Sequence, residues 1–136
     1  PINIFEDGLE SRDFVHVSDV VQAVILELGI DRADYVVTNV GSGVPTSVIE
    51  VASILKRLLN SKSSLEITGD YRAGDIRHCY ADLSFAELRL GFLPNVTLEV
   101  GLSHFVRWVL TQPVLPVSSQ SVQSELVQLG LGRGAM

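Results

Sequence analysis

The chain has 136 residues, enough for one domain with a modest core. A hydrophobic content of 46% and a charged content of 19% describe a folded globular chain and exclude a disordered one. The net charge is −6 and no basic cluster is longer than Lys56-Arg57, which argues against a nucleic-acid surface; no apolar run approaches a membrane span. One cysteine, Cys79, excludes an internal disulfide framework and suits a reducing compartment. No secretory leader is visible, so a cytoplasmic location is expected. Pro1 stands where an initiator Met would, which suggests a chain that begins partway through a longer protein or follows a removed segment.

In chain order, residues 2–5 read as a short strand closed by the turn signal Asp7-Gly8. Arg12-Asp13 leads into a short apolar run, Phe14-Val15, read as a second strand. Ser18-Asp19 is read as the start of a helix carrying Val20, Val21, Val24, Ile25 and Leu28, with Gly29 as its stop. Residues 35–40, YVVTNV, form a β-rich run apolar enough to be buried on both faces. Ser47-x-x-Glu50 is a capping box, and the helix behind it places Val48, Val51, Ala52, Leu55, Leu58 and Leu59 on one face before ending near Asn60.

Residues 65–68 read as a strand ending at Gly69, and residues 76–80 as extended chain. Asp82 or Ser84 caps a short helix that Gly91 stops. Thr97 caps another helix, with Leu98, Leu102, Phe105, Val106 and Val109 as its apolar stripe and Trp108 read as packing. From residue 112 the composition turns to Pro and Ser. Residues 1–111 are therefore read as one lobe, and 112–136 as a linker with an amphipathic tail around Val122, Leu126 and Leu129. The alternation of strands and helices predicts an α/β fold.

Two places carry anion chemistry. Arg12 is held between ordered elements, where its alternatives are a surface ion pair with Asp13 or a nearby acid, or a grip on a ligand anion. Arg72 and Asp75 flank a small pair in Arg-Ala-Gly-Asp, where the backbone can turn so that both side chains face one ligand. A guanidinium forks onto phosphate oxygens, and a carboxylate accepts from neighbouring ribose hydroxyls. The glycine turn Asn39-Val40-Gly41-Ser42-Gly43 lacks the lysine of a phosphate loop and the spacing of a dinucleotide fingerprint, so it is read as structural. His16, His78, Cys79 and His104 fit no metal-ligand spacing, and no metal site is expected.

The run Gly8, Arg12, Asp13, Phe14, Val15, His16, Val17, Asp19, Val20 resembles the one that opens the substrate-binding lobe of NAD-dependent nucleotide-sugar epimerases and dehydratases, in the extended short-chain dehydrogenase/reductase family. Three further family motifs follow in order: Asn39 to Gly43 before a helix, Arg72-Ala73-Gly74-Asp75-Ile76-Arg77-His78 before Ala81-Asp82, and Leu90-Gly91-Phe92-x-Pro94. The resemblance implies a small mixed-sheet substrate-binding domain of an extended short-chain dehydrogenase. It also implies that Arg12 and Arg72 bind the diphosphate of an activated sugar and that Asp75 lies at the ribose. The two guanidinium groups would then converge on one concavity, with Asp75 at its border and free of a structural pairing.

Those relatives bind NAD through a Gly-x-x-Gly-x-x-Gly turn and move protons with a Tyr-x-x-x-Lys pair. Neither pattern occurs here: Tyr35, Tyr71 and Tyr80 are followed four residues on by Asn39, Asp75 and Ser84, and the lysines are Lys56 and Lys62 alone. No catalytic or cofactor-binding residue is therefore expected in the chain itself, with NAD implied for a full-length relative. A lobe without its Rossmann domain would leave the helix beginning at Val17 and the run 35–40 uncovered, for that domain or for a second copy of the chain.

Overall fold

The computed structural model describes residues 1–30, 37–113, 124–125 and 127–129. Strand β1, Ile2–Ile4, pairs in parallel with β4, Leu65–Ile67, and its register sets Asn3 opposite Glu66. Strand β2, Ser11–Asp13, pairs antiparallel with β3, Pro45–Ser47, so that Arg12 lies opposite Thr46. An isolated parallel bridge joins Ser11 to His78 and brings the segment after residue 75 alongside β2. Each of these described sheets has two strands, the first parallel and the second antiparallel.

Helix α1, Val17–Leu28, is capped by a side chain other than the one read from sequence. The ring of His16, through Nδ1, accepts the Ser18 N–H at 3.2 Å, and the expected cap at Ser18-Asp19 is displaced by two residues. Asp19 is freed to turn inward. It is buried and accepts the Val96 N–H at 3.0 Å, tying α1 to the chain ahead of the last long helix.

Helix α2, Val48–Leu58, opens as its capping box requires: the Ser47 hydroxyl accepts the Glu50 N–H. Helix α3, Ser84–Leu90, ends at Gly91 in the left-handed conformation, and Asp82 turns its carboxylate onto the Ser84 N–H and hydroxyl ahead of it. Helix α4, Leu98–Val109, is capped by Thr97. It packs on α2, with Arg57 and Glu99 paired at 2.7 Å across the two.

The core centres on Phe92, which is fully buried with Ala23 of α1 and Ala86 of α3, and Leu26, Val40, Leu83 and Leu90 close around it. The Gly91-Phe92 step is what delivers the ring: the reversal at Gly91 turns the chain back over α3, and the Phe92 N–H donates to the Ala86 carbonyl.

Three expectations need correction. The second strand is Ser11–Asp13 and not Phe14-Val15, because its partners are Thr46 and Ser47 and the chain leaves the sheet after Asp13. Of the buried strand read over 35–40, the described residues 37–40 lie outside any ladder, and Val37 is 94% exposed. An apolar run becomes a buried strand only beside another strand, and none of the described residues provides one. Tyr35 and Val36 lie outside the described residues. Of the two readings of Trp108, core is the one corrected: it is 58% exposed and tilts against Phe105 of its own helix, ring centroids 5.9 Å apart. Of the tail's stripe, Val122 and Leu126 lie outside the described residues.

Candidate functional site

Strand β2 divides the work because successive side chains of a strand point to opposite faces. On one side, the Asp13 carboxylate gathers three segments. Its Oδ1 accepts the N–H and the hydroxyl of Ser42, each at 2.6 Å, and its Oδ2 accepts the N–H of Gly43 at 3.0 Å and of Ala81 at 3.1 Å. Burial raises the Asp13 pKa, but the hydrogen bonds from Ser42, Ala81 and Gly43 together outweigh it and hold the group below its ordinary value of 3.8. Gly41 is required at the same junction. A Cβ there would stand 2.7 Å from the Ala81 Cβ and 2.9 Å from the Asp13 Cγ, so no side chain fits without moving one of them. The amides of this glycine turn are thus aimed at the chain's own carboxylate.

On the other side, Arg12 reaches toward the segment after residue 72. Its Nη2 donates to Asp75 Oδ1 at 2.5 Å, and its Nη1 donates to the carbonyls of Ser11 and Arg77 at 2.9 and 3.2 Å. Of the ion-pair partners read from sequence, Asp13 is excluded by this division of faces, and a nearby acid, Asp75, takes the pairing.

Residues 72–75 form a tight turn. The Asp75 N–H donates to the Arg72 carbonyl at 3.2 Å, and Gly74 sits at φ +80°, the third position of a type II turn that glycine alone occupies without strain. The Arg72 guanidinium lies over the Phe5 ring, with 5.3 Å from Cζ to the centroid. It makes no ion pair among the described residues. The turn, with Glu6, Asp7, Tyr71 and Arg77, lines an open concavity of about 620 Å³.

The expected convergence of the Arg12 and Arg72 guanidinium groups on one concavity is not met, since Arg12 is not among its lining residues. Arg72 and Asp75 line the concavity; Arg12 stands behind Asp75 and meets its edge only through their ion pair. Asp75, expected to be free of structural pairing, is engaged. Its sequence neighbours gave no sign of this, since its partner lies 63 residues away.

Sequence reasoning passed over Glu6 and Asp7, which also line the concavity, Arg77, which spans them, and Phe5, which lies under Arg72. Arg77 Nη1 meets Glu6 Oε2 at 2.9 Å and Nη2 meets Asp7 Oδ2 at 2.5 Å. The hydrogen bond from Arg77 holds the Asp7 carboxyl below the usual carboxylate range and raises Arg77 in turn. The signal available was the acidic pair Glu6-Asp7 beside a glycine turn, which sequence alone does not connect to an arginine 70 residues on.

A second depression, about 540 Å³, runs between the β2–α1 connection and α4, with Val15, His16, Leu102, Phe105 and Trp108 among its walls. The rings of His16 and His104 meet there edge to face, centroids 5.4 Å apart. His78 is elsewhere, against the Ser11 hydroxyl at 2.9 Å, and Cys79 is exposed.

About four-fifths of this chain is homologous to NAD-dependent UDP-sugar 4-epimerases, as its motifs imply. It is 34% identical over 109 residues to the UDP-glucuronate 4-epimerase of Thermodesulfobacterium geofontis, covering 79% of this chain and 33% of that enzyme. It is 32% identical over 108 residues to the dTDP-L-rhamnose 4-epimerase of Burkholderia thailandensis, covering 79% of this chain and 30% of that enzyme. Among solved structures, the UDP-glucose 4-epimerase of Bifidobacterium longum in complex with NAD+ and UDP superposes with a TM-score of 0.72 at 28% identity, covering 82% of this chain and 35% of that one. The chain spans about a third of the length of the curated relatives it matches. No protein-family model matches it. None of the described helices is long and apolar enough to cross a membrane.

The Asp13 junction yields a pH prediction. A carboxyl whose folded pKa is depressed stabilises the fold above its unfolded pKa, and that contribution is lost as pH falls through the folded value. Asp13→Asn, which cannot accept all four hydrogen bonds, should unfold at lower urea than the parent at neutral pH, by about 1–3 kcal/mol. The gap should narrow below about pH 4 as the parent's own carboxyl takes up its proton. Urea titrations of both proteins at several pH values measure it, and a gap independent of pH would contradict the assignment.

Proposed function

We propose that this chain binds the nucleoside-diphosphate part of an activated sugar, as the substrate lobe of an NAD-dependent nucleotide-sugar epimerase. The observation that carries the reading is the state of Arg72. Around the concavity three arginines meet three carboxylates, and two of the arginines are paired: Arg12 with Asp75, Arg77 with Glu6 and Asp7. Arg72 is stacked on Phe5, which orients its plane and leaves its N–H edges for an anion. A diphosphate lodged there would take Arg72 first. It would then compete with Asp75 for Arg12, releasing the Asp75 carboxylate toward ribose hydroxyls at the same edge.

The homology to enzymes of UDP- and dTDP-linked sugars supports a nucleoside diphosphate as the shared element and leaves base and sugar open. On this reading NAD belongs to the larger enzyme, where it accepts a hydride from the sugar and returns it. The glycine turn here is a poor cradle for that cofactor, since the N–H groups of Ser42 and Gly43 already donate to Asp13. We therefore assign this chain affinity and orientation and no bond-making step, with no catalytic residue and no metal ligand.

Calorimetric titration with UDP-glucose tests the grip. Replacing Arg72 or Arg12 with Ala should weaken binding about ten- to a hundredfold, because each charge-assisted contact is worth roughly 1.5–3 kcal/mol. Lysine should restore only part of the loss, since a point charge cannot reproduce a two-pronged contact. Unchanged affinity in both Ala variants would overturn the reading.

A second surface bears on partners. Helix α1 turns Val17, Val21, Val24, Ile25 and Leu28 outward, all more than half exposed, in a stripe that returns every three to four residues. In a larger enzyme this stripe would lie against the Rossmann domain; in the chain alone it favours self-association. Sedimentation of the chain should give a concentration-dependent dimer that Val21→Ser with Val24→Ser shifts to monomer. A monodisperse parent at high concentration would argue against the face being adhesive.

A further inference from the structure

The turn that carries Arg72 and Asp75 belongs to an exposed loop, residues 70–77, and a loop of that kind needs something to fix it. Both of its ends are tied to one residue. The Glu6 N–H donates to the Asp70 carbonyl at 2.7 Å, and the Glu6 carboxylate accepts from Arg77 at 2.9 Å. Glu6 does this from φ +47°, a left-handed conformation that costs a non-glycine residue free energy and persists where its surroundings over-determine it. Arg77 adds a second arm to Asp7 at 2.5 Å. Its main chain is held as well: the Arg77 carbonyl accepts from the Ser11 N–H at 2.9 Å and from Arg12 Nη1 at 3.2 Å, and the Cys79 N–H returns to the Ser11 carbonyl at 3.1 Å.

We propose that Arg77, clasped by Glu6 and Asp7, is a positioning residue of the nucleotide site: it fixes loop 70–77 so that Arg72 and Asp75 face the ligand, and does not touch the ligand itself. The inference rests on the nucleoside-diphosphate reading above and adds a residue and a role to it. An arginine lining an anion site is first suspected of contacting the anion. Here both arms of the fork are occupied by carboxylates, so the cluster is net negative and offers an anion no free guanidinium edge. Its effect is on where the loop stands, transmitted through the carbonyl that also receives Arg12.

The two roles make opposite forecasts for the variant Glu6→Gln with Asp7→Asn. If Arg77 bound the anion, removing two negative charges beside it would free its guanidinium and tighten binding. If Arg77 positions the loop, the same variant weakens binding although it removes repulsion.

The test uses the intact chain, with UDP as the probe. Amide hydrogen exchange without ligand should quicken about tenfold at Ser11, Asp75 and Cys79 in both Arg77→Ala and the Glu6/Asp7 variant. UDP affinity should fall about three- to tenfold in both, with little change in melting temperature because the pairs are exposed. Arg77→Lys, which can hold one carboxylate and not two, should recover part of the loss. UDP binding by the Glu6/Asp7 variant as tight as or tighter than the parent's would overturn the proposal. So would exchange at those amides indifferent to Arg77. Should the parent itself fail to bind UDP, the nucleotide reading falls, and the exchange rates alone decide whether Arg77 anchors the loop.

Discussion

The arrangement depends on the Asp13 carboxylate more than on any hydrophobic contact. Four donors converge on its two oxygens, from Ser42, Gly43 and Ala81, and they fasten β2 to two segments about 29 and 68 residues downstream. Once that face of the strand is fixed, the alternation of side chains leaves Arg12 no direction but the opposite one, toward Asp75 and the Arg77 carbonyl. Adjacent residues of opposite charge thus serve different masters. One closes the scaffold, and the other reaches the site that the scaffold positions.

The same logic governs the site's charge. Pairing Arg12 with Asp75, and Arg77 with Glu6 and Asp7, leaves Arg72 on Phe5 as the cation best placed to meet a ligand. The pairs are exposed and individually weak, so they hold geometry at small energetic cost and can be exchanged when an anion enters. Such a surface fits a lobe that orients a sugar nucleotide for chemistry performed elsewhere in a larger enzyme. It fits less well a deep, self-sufficient active site.

What the sequence made legible was local. The Ser47 and Thr97 caps, the Gly91 stop and the turn at Gly74 each depend on a few consecutive residues, and each stands where its chemistry requires. The four motifs also led to the correct relatives. What escaped was set by partners far along the chain. Nothing near His16 announces that its ring, and not Ser18 or Asp19, will cap α1; that follows from Asp19 being drawn to Val96, 77 residues away. The run 35–40 reads as a buried strand because Tyr35, Val36, Val37 and Val40 suit one, yet residues 37–40 meet no partner strand among the described residues. Of the two readings of Trp108, core or helix packing, the second holds: it packs along its own helix against Phe105 and stays more than half exposed. Of the concavity's charged lining, Arg72 and Asp75 are singled out by the motifs, while Glu6 and Asp7 emerge only when they meet Arg77, about 70 residues on.

The most direct measurement is the backbone amide NMR spectrum of the intact chain as UDP-glucose is added. Binding at the concavity predicts shifts that saturate together at Phe5, Arg12 and residues 71–75, with the Arg12 and Arg72 guanidinium signals moving in step. Shifts confined to the groove around His16 and Trp108, or none at residues 71–75, would contradict the assignment of this turn as the nucleotide grip.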